Sequence, residues 1–198
     1  MIAAVVLAAG RSVRMGRPKL LLPMADGRSM LAHVVGLLKE GGAEPVLVVT
    51  DAEEGVGEEA ERMGGQAVRV EAPPSGEMLS SLQRGLEALE DAPAVAALIL
   101  PGDMPFVRPA TIRSILDLWL LERPHVLAPS FENRRGHPVC LAREIWADIQ
   151  ALRPPASLRD YLRRRGDEVR YLVVEDAGVV EDIDVPEDYD RAVGRGKT

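Results

Sequence analysis

The run Ile2-Ala3-Ala4-Val5-Val6-Leu7-Ala8-Ala9-Gly10, read together with 29–41 and 45–50, decides the fold. Apolar residues in succession, with no polar alternation, fit a strand covered by helices on both faces rather than one with a wet side. Gly10 ends the run. After a basic loop, Leu31, Val34, Val35 and Leu38 recur at the spacing of one helical face, and a second apolar run returns over 45–50. Strand, loop, helix and strand in that order make a parallel βαβ unit.

The alternation continues to the end of the chain. Strands are expected over 2–7, 45–50, 67–70, 94–100, 126–129, 138–141 and 169–174, and helices over 29–41, 52–63, 78–89, 109–122, 143–152, 158–164 and 186–193. That order predicts an α/β fold, a Rossmann-like three-layer sandwich with a mostly parallel sheet and helices on both faces. The Gly and Pro clusters are short and each sits between two elements, so one domain is expected over 1–198. The acidic set Glu53, Glu54, Glu58, Glu59 and Glu61 falls on a helix and reads as a solvated face.

The 198 residues are 46% hydrophobic and 28% charged, which excludes disordered and fibrous classes. A lone Cys140 excludes an internal disulfide framework and fits a reducing compartment. The first base, Arg11, follows the apolar start, the reverse of a secretory signal. The run is also shorter than the roughly 20 residues of a membrane span, so a cytoplasmic chain without a membrane partner is expected. A net charge of −7 argues against a general nucleic-acid binder. Against that average, residues 1–39 carry six bases (Arg11, Arg14, Arg17, Lys19, Arg28, Lys39) and one acid, Asp26. An anionic ligand near the N-terminal loop follows.

Ligands of open α/β sheets bind beyond the carboxyl ends of the strands, here the loop after 2–7 and the segments 71–78, 101–107 and 181–186. The first loop reads Leu7-Ala8-Ala9-Gly10-Arg11-Ser12-Val13-Arg14-Met15-Gly16-Arg17-Pro18-Lys19-Leu20-Leu21-Leu22-Pro23. Its glycines allow the backbone close to a ligand, and Arg14 and Lys19 add fixed charge. It has neither the Walker spacing nor the GxGxxG fingerprint. On composition alone a phosphate loop and an ordinary basic surface loop both stand.

The order of that loop resembles the signature of nucleotidyltransferases of the molybdenum cofactor branch, a cytidylyltransferase and guanylyltransferase group within the sugar-nucleotide pyrophosphorylase superfamily. The likeness continues through Ser81-Leu82-Gln83-Arg84-Gly85-Leu86, Pro101-Gly102-Asp103-Met104-Pro105-Phe106-Val107, Arg135-Gly136-His137-Pro138-Val139 and Asp182-Ile183-Asp184-Val185-Pro186-Glu187-Asp188-Tyr189. The resemblance implies transfer of a nucleoside monophosphate from an NTP to a phosphorylated small-molecule acceptor such as molybdopterin cofactor, with release of pyrophosphate. It adds a cofactor-accepting enzyme as a partner class.

Such a reaction gathers several negative charges, so positioning and neutralisation dominate its catalysis. Lys19 suits the transferring phosphate and Arg14 the leaving pyrophosphate. Leu7, Ala8, Ala9, Gly10, Arg11, Ser12 and Lys19 are the expected nucleotide contacts, joined by Ser81, for which a place as helix N-cap is the structural alternative, shared with Ser80. Magnesium favours carboxylate oxygens. Asp103, directly after the strand 94–100, is its expected ligand, with the second from Asp182 or Asp184 and Asp184 favoured. The structural alternatives are a turn at Gly102-Asp103 and helix capping before Pro186.

Arg135, His137 and Arg159 are the expected acceptor contacts. His33 and His125 read as packing or surface residues, Cys140 as a small buried hydrophobe, and Trp119 and Trp146 as core. Ala9 resembles the cytidylyltransferase subgroup and favours CTP. Met104, Val185 and Pro155 depart from that subgroup's Gln, Thr and acid, and Pro155 bears on the acceptor side. An inactive nucleotide-binding accessory or sensor protein is the alternative to an enzyme.

Overall fold

The computed structural model describes residues 1–10, 18–51, 55–70 and 78–194. Its strands are β1 (Ile2–Leu7), β2 (Val46–Thr50), β3 (Gln66–Arg69), β4 (Ala96–Pro101), β5 (Val126–Phe131), β6 (Arg134–Arg135), β7 (Val139–Ala142) and β8 (Val169–Val173). Between them run α1 (Met30–Gly41), α2 (Val56–Arg62), α3 (Met78–Glu87), α4 (Pro109–Glu122), α5 (Trp146–Gln150), α6 (Leu158–Arg164) and α7 (Pro186–Gly194). The expected alternation is present. Two details differ: β6 is a two-residue strand that returns against β5, and Arg143–Ile145 is a 3-10 turn ahead of a short α5.

The sheet runs β3-β2-β1-β4-β7-β5-β6, with β8 on β5. β1 pairs in parallel with β2 and β4, while β7 is antiparallel to β4 and β5. Both faces are covered, and β1 shows how. Ile2, Ala4 and Val6 join the core beneath α1 and α4, whereas Ala3 and Val5 join the core with Leu82, Leu86, Trp146 and Leu162. Side chains alternate across a strand, so an apolar run serves both layers. Gly85 lets α3 lie close on the sheet, because a Cβ there would stand 2.4 Å from Val5 Cγ1.

Glu58 and Glu61 are exposed as expected and Glu53 and Glu54 lie outside the described residues, but Glu59 departs from the solvated-face reading. It is buried, accepts hydrogen bonds from the Ser29 hydroxyl and Arg62, and ties α2 to the start of α1. Burial opposes its ionisation, but the Ser29 and Arg62 contacts prevail and hold its carboxyl below the ordinary value. Ser80 and Ser81 lie inside α3, which is described from Met78 onward. Cys140, Trp119 and Trp146 are buried as expected. Among the described residues no helix is long and apolar enough to cross a membrane.

Candidate active site

The carboxyl ends of β1 and β4 are stitched together by backbone: Gly102 N–H donates to Leu7 O at 3.0 Å. Gly102 fits there because a Cβ would lie 3.2 Å from Leu20 Cδ1 and 3.3 Å from Leu7 O. Beyond Leu7, Ala8 and Ala9 are buried and Gly10 is exposed, so the chain emerges from the sheet at the glycine. Arg11, Ser12 and Arg14 lie outside the described residues. The chain resumes at Pro18, and a 3-10 turn over Lys19–Leu21 sinks Leu20 into the core. Burial of Leu20 fixes the backbone from which Lys19 projects.

The Lys19 ammonium donates to Asp103 Oδ2 at 2.7 Å, to Ile183 O at 3.0 Å and to Asp184 Oδ1 at 3.1 Å. Asp103 follows β4, and Ile183 N–H donates to Asp103 O at 3.0 Å, so the 181–186 segment is hung on the same strand end. The Lys19 and Asp103 side chains are 15% and 21% exposed, against 48% for Asp184. Burial works against the charge on Lys19, yet Asp103 and Asp184 outweigh it and raise its pKa above the ordinary lysine value. A lysine held in this way stays protonated.

The two acidic candidates separate. Asp184 reaches the ammonium, whereas Asp182 lines a cavity of about 240 Å³ with Phe106, Asp188 and Arg191. Burial and then the charge of Asp184 push the Asp182 carboxyl up. The helix cap before Pro186 belongs to Asp188, which accepts from the Asp184 and Val185 N–H groups at 3.2 Å each. Tyr189 of α7 donates to Pro23 O at 2.6 Å and anchors this corner to the chain beyond Lys19.

His137 stands where β7 approaches the end of β4, two residues before the Val139 that pairs with Ile99. Its N–H donates to Val179 O at 2.8 Å. Val179 belongs to a 3-10 turn that Asp176 fixes by accepting from Thr111 Oγ1 at 2.6 Å, Arg108 N at 2.9 Å and Gly178 N at 3.1 Å. The imidazole Nδ1 is buried without a hydrogen-bond partner among the described residues. Burial, followed by the Arg135 charge, lowers its pKa, against the pull of the Ile99 carbonyl and of Asp103. The ring is therefore neutral near Asp103.

Arg135 is exposed on β6. Arg159 is exposed on α6, whose Tyr161 and Leu162 pack on the α3 face of the sheet. Ser81 is 4% exposed. The structure thus brings Lys19, Asp103, Asp184 and His137 to one strand end. No hydrogen bond or ion pair among the described residues joins Arg159 to them. Sequence reasoning missed the Ile183 carbonyl and Asp176. The first acts through backbone, and the second sits in no motif.

Residues 4–169 match the model of the MobA-like NTP transferase domain. The chain is 34% identical to the molybdenum cofactor guanylyltransferase of Xanthomonas euvesicatoria over 57% of this chain and 52% of that protein. It likewise spans less than two thirds of the length of the other molybdenum cofactor guanylyltransferases it matches. It is 34% identical to the phosphoenolpyruvate guanylyltransferase of Rubrobacter xylanophilus over 84% of this chain and 79% of that protein. Among solved structures, Rv0371c of Mycobacterium tuberculosis, in complex with manganese, superposes with a TM-score of 0.74 at 25% identity, covering 98% of both chains.

Proposed function

Since the chain belongs to the MobA-like NTP transferase family, we propose that it is a nucleotidyltransferase that moves a nucleoside monophosphate from an NTP to a phosphorylated acceptor such as molybdopterin cofactor. An acceptor phosphate oxygen bonds to the α-phosphorus, the bond from that phosphorus to the β-bridging oxygen breaks, and pyrophosphate leaves with the electron pair. One domain is proposed over 1–198. The observation behind this reading is the meeting of Lys19, Asp103 and Asp184 at one point beyond β4.

Asp103 and Asp184 fit a magnesium ion, because their carboxylate oxygens already converge on one cation, the Lys19 ammonium. Among the described residues no three metal-ligating side chains gather. Two carboxylates would leave the remaining positions to water and phosphate oxygens, the arrangement magnesium prefers. Bound there, the ion would neutralise triphosphate charge. The manganese complex of the relative supports a divalent metal.

Lys19 steadies the transferring phosphate as charge develops on it, and Arg14 takes the leaving pyrophosphate. Leu7, Ala8, Ala9, Gly10, Arg11, Ser12 and Ser81 hold the nucleotide. Arg135, His137 and Arg159 face the acceptor, with neutral His137 able to share a hydrogen bond while Arg135 supplies charge. CTP is the proposed donor, on the strength of Ala9. GTP is the second reading, favoured by the names of the guanylyltransferase relatives. Competition between CTP and GTP in a pyrophosphate-release assay tests the choice: a higher kcat/KM for GTP replaces CTP with GTP.

A further inference from the structure

The carboxylates assigned above to a metal are already closed by a lysine. Three oxygens, Asp103 Oδ2, Asp184 Oδ1 and Ile183 O, stand within 2.7–3.1 Å of the Lys19 ammonium. They come from two segments joined by the Ile183 N–H to Asp103 O hydrogen bond, so the ammonium sits in a fixed oxygen cluster and not on a loose surface pair. A bare divalent ion entering this cluster meets a positive charge at the point of convergence. Low exposure of Lys19 and Asp103 weakens the screening of that repulsion.

Lys19 can leave without unfolding its own turn. Leu20 is buried beside Gly102 and holds the backbone, while the four-carbon stem of lysine is flexible. A triphosphate brings several anionic oxygens to which the ammonium can move, and its positive charge is then withdrawn from the two carboxylates.

We infer that Lys19 makes the Asp103–Asp184 site selective for a metal that arrives with a triphosphate, over the bare ion. The inference rests on the reading of those two carboxylates as metal ligands. Lys19 thereby does more than contact a phosphate: it decides when the metal enters.

Free and bound manganese can be counted by electron paramagnetic resonance, with and without a non-hydrolysable NTP analogue, in wild type, Lys19→Met, Lys19→Gln and the double variant Lys19→Met/Asp103→Asn. Wild type is expected to hold bare manganese at least tenfold more weakly than either lysine variant, and to bind manganese well once the analogue is present. Adding Asp103→Asn should abolish the gain. Circular dichroism identifies any variant that fails to fold, and Lys19→Gln keeps a polar side chain in place for that purpose. If folded lysine variants bind bare manganese no better than wild type while wild type binds it with the analogue, the inference fails and the metal reading survives. If wild type binds none even with the analogue, the metal reading fails and the inference with it.

Discussion

The Lys19 ammonium and the Asp103 carboxylate meet at 2.7 Å across 84 residues of chain. Two conditions make that contact possible. Leu20 buries the turn that carries the lysine, and β4 delivers the aspartate at the carboxyl edge beside β1. Charge that would be worth little on an open surface is here partly withdrawn from water, which strengthens it.

Asp103→Asn keeps the side-chain shape and removes the charge. Magnesium-linked NTP affinity and turnover should both fall by tenfold or more, as titration calorimetry and an NTP assay would show. Asp184→Asn should follow it. Asp182→Asn should change little, because Asp184 and not Asp182 bonds the shared ammonium.

Glu59 should make stability fall in acid. Its pKa is depressed when folded, so its contribution is fully present above the ordinary glutamate value of 4.5 and is lost as pH falls through the lower folded value. Urea unfolding of wild type and Glu59→Gln between pH 7 and pH 3 measures this. The variant's stability should decline less steeply below 4.5 than that of wild type.

Gly85→Ala adds a methyl 2.4 Å from Val5 Cγ1. Alanine favours a helix by up to about 1 kcal/mol, but overpacking costs about 1–3 kcal/mol. The urea midpoint should drop with an unchanged m-value. An equal or higher midpoint would show that the α3–sheet contact yields easily.

Arg135→Ala should raise the KM for the acceptor by roughly tenfold to a hundredfold, the scale of a lost charge-assisted hydrogen bond of about 1.5–3 kcal/mol, and leave the KM for NTP unchanged. Arg159→Ala should act in the same direction. Equal weakening of NTP and acceptor would place either arginine at the triphosphate instead. Initial rates at varied concentrations of both substrates separate these cases.

The fold was legible because apolar runs and helical spacing are local signals. Ile2–Leu7 and the Leu31, Val34, Val35, Leu38 face are readable without tertiary information. Asp103 was legible as the first carboxylate beyond an apolar strand. Asp184 was favoured over Asp182 in the sequence, but its contact with Lys19 is a tertiary feature that residues two apart in an extended segment do not reveal. Glu59 was misread because charge spacing marks a helix without saying which acid faces a neighbouring hydroxyl. Backbone partners such as Ile183 O and Leu7 O carry no sequence signature at all.

Pyrophosphate release, measured with each of the four NTPs against a panel of phosphorylated acceptors that includes molybdopterin, tests the central claim most directly. Magnesium-dependent release with one NTP and at least one acceptor, greatly reduced in Lys19→Met, is the predicted result. Wild-type protein that binds an NTP with magnesium yet releases no pyrophosphate with any acceptor would contradict it, and would favour a nucleotide-binding accessory protein.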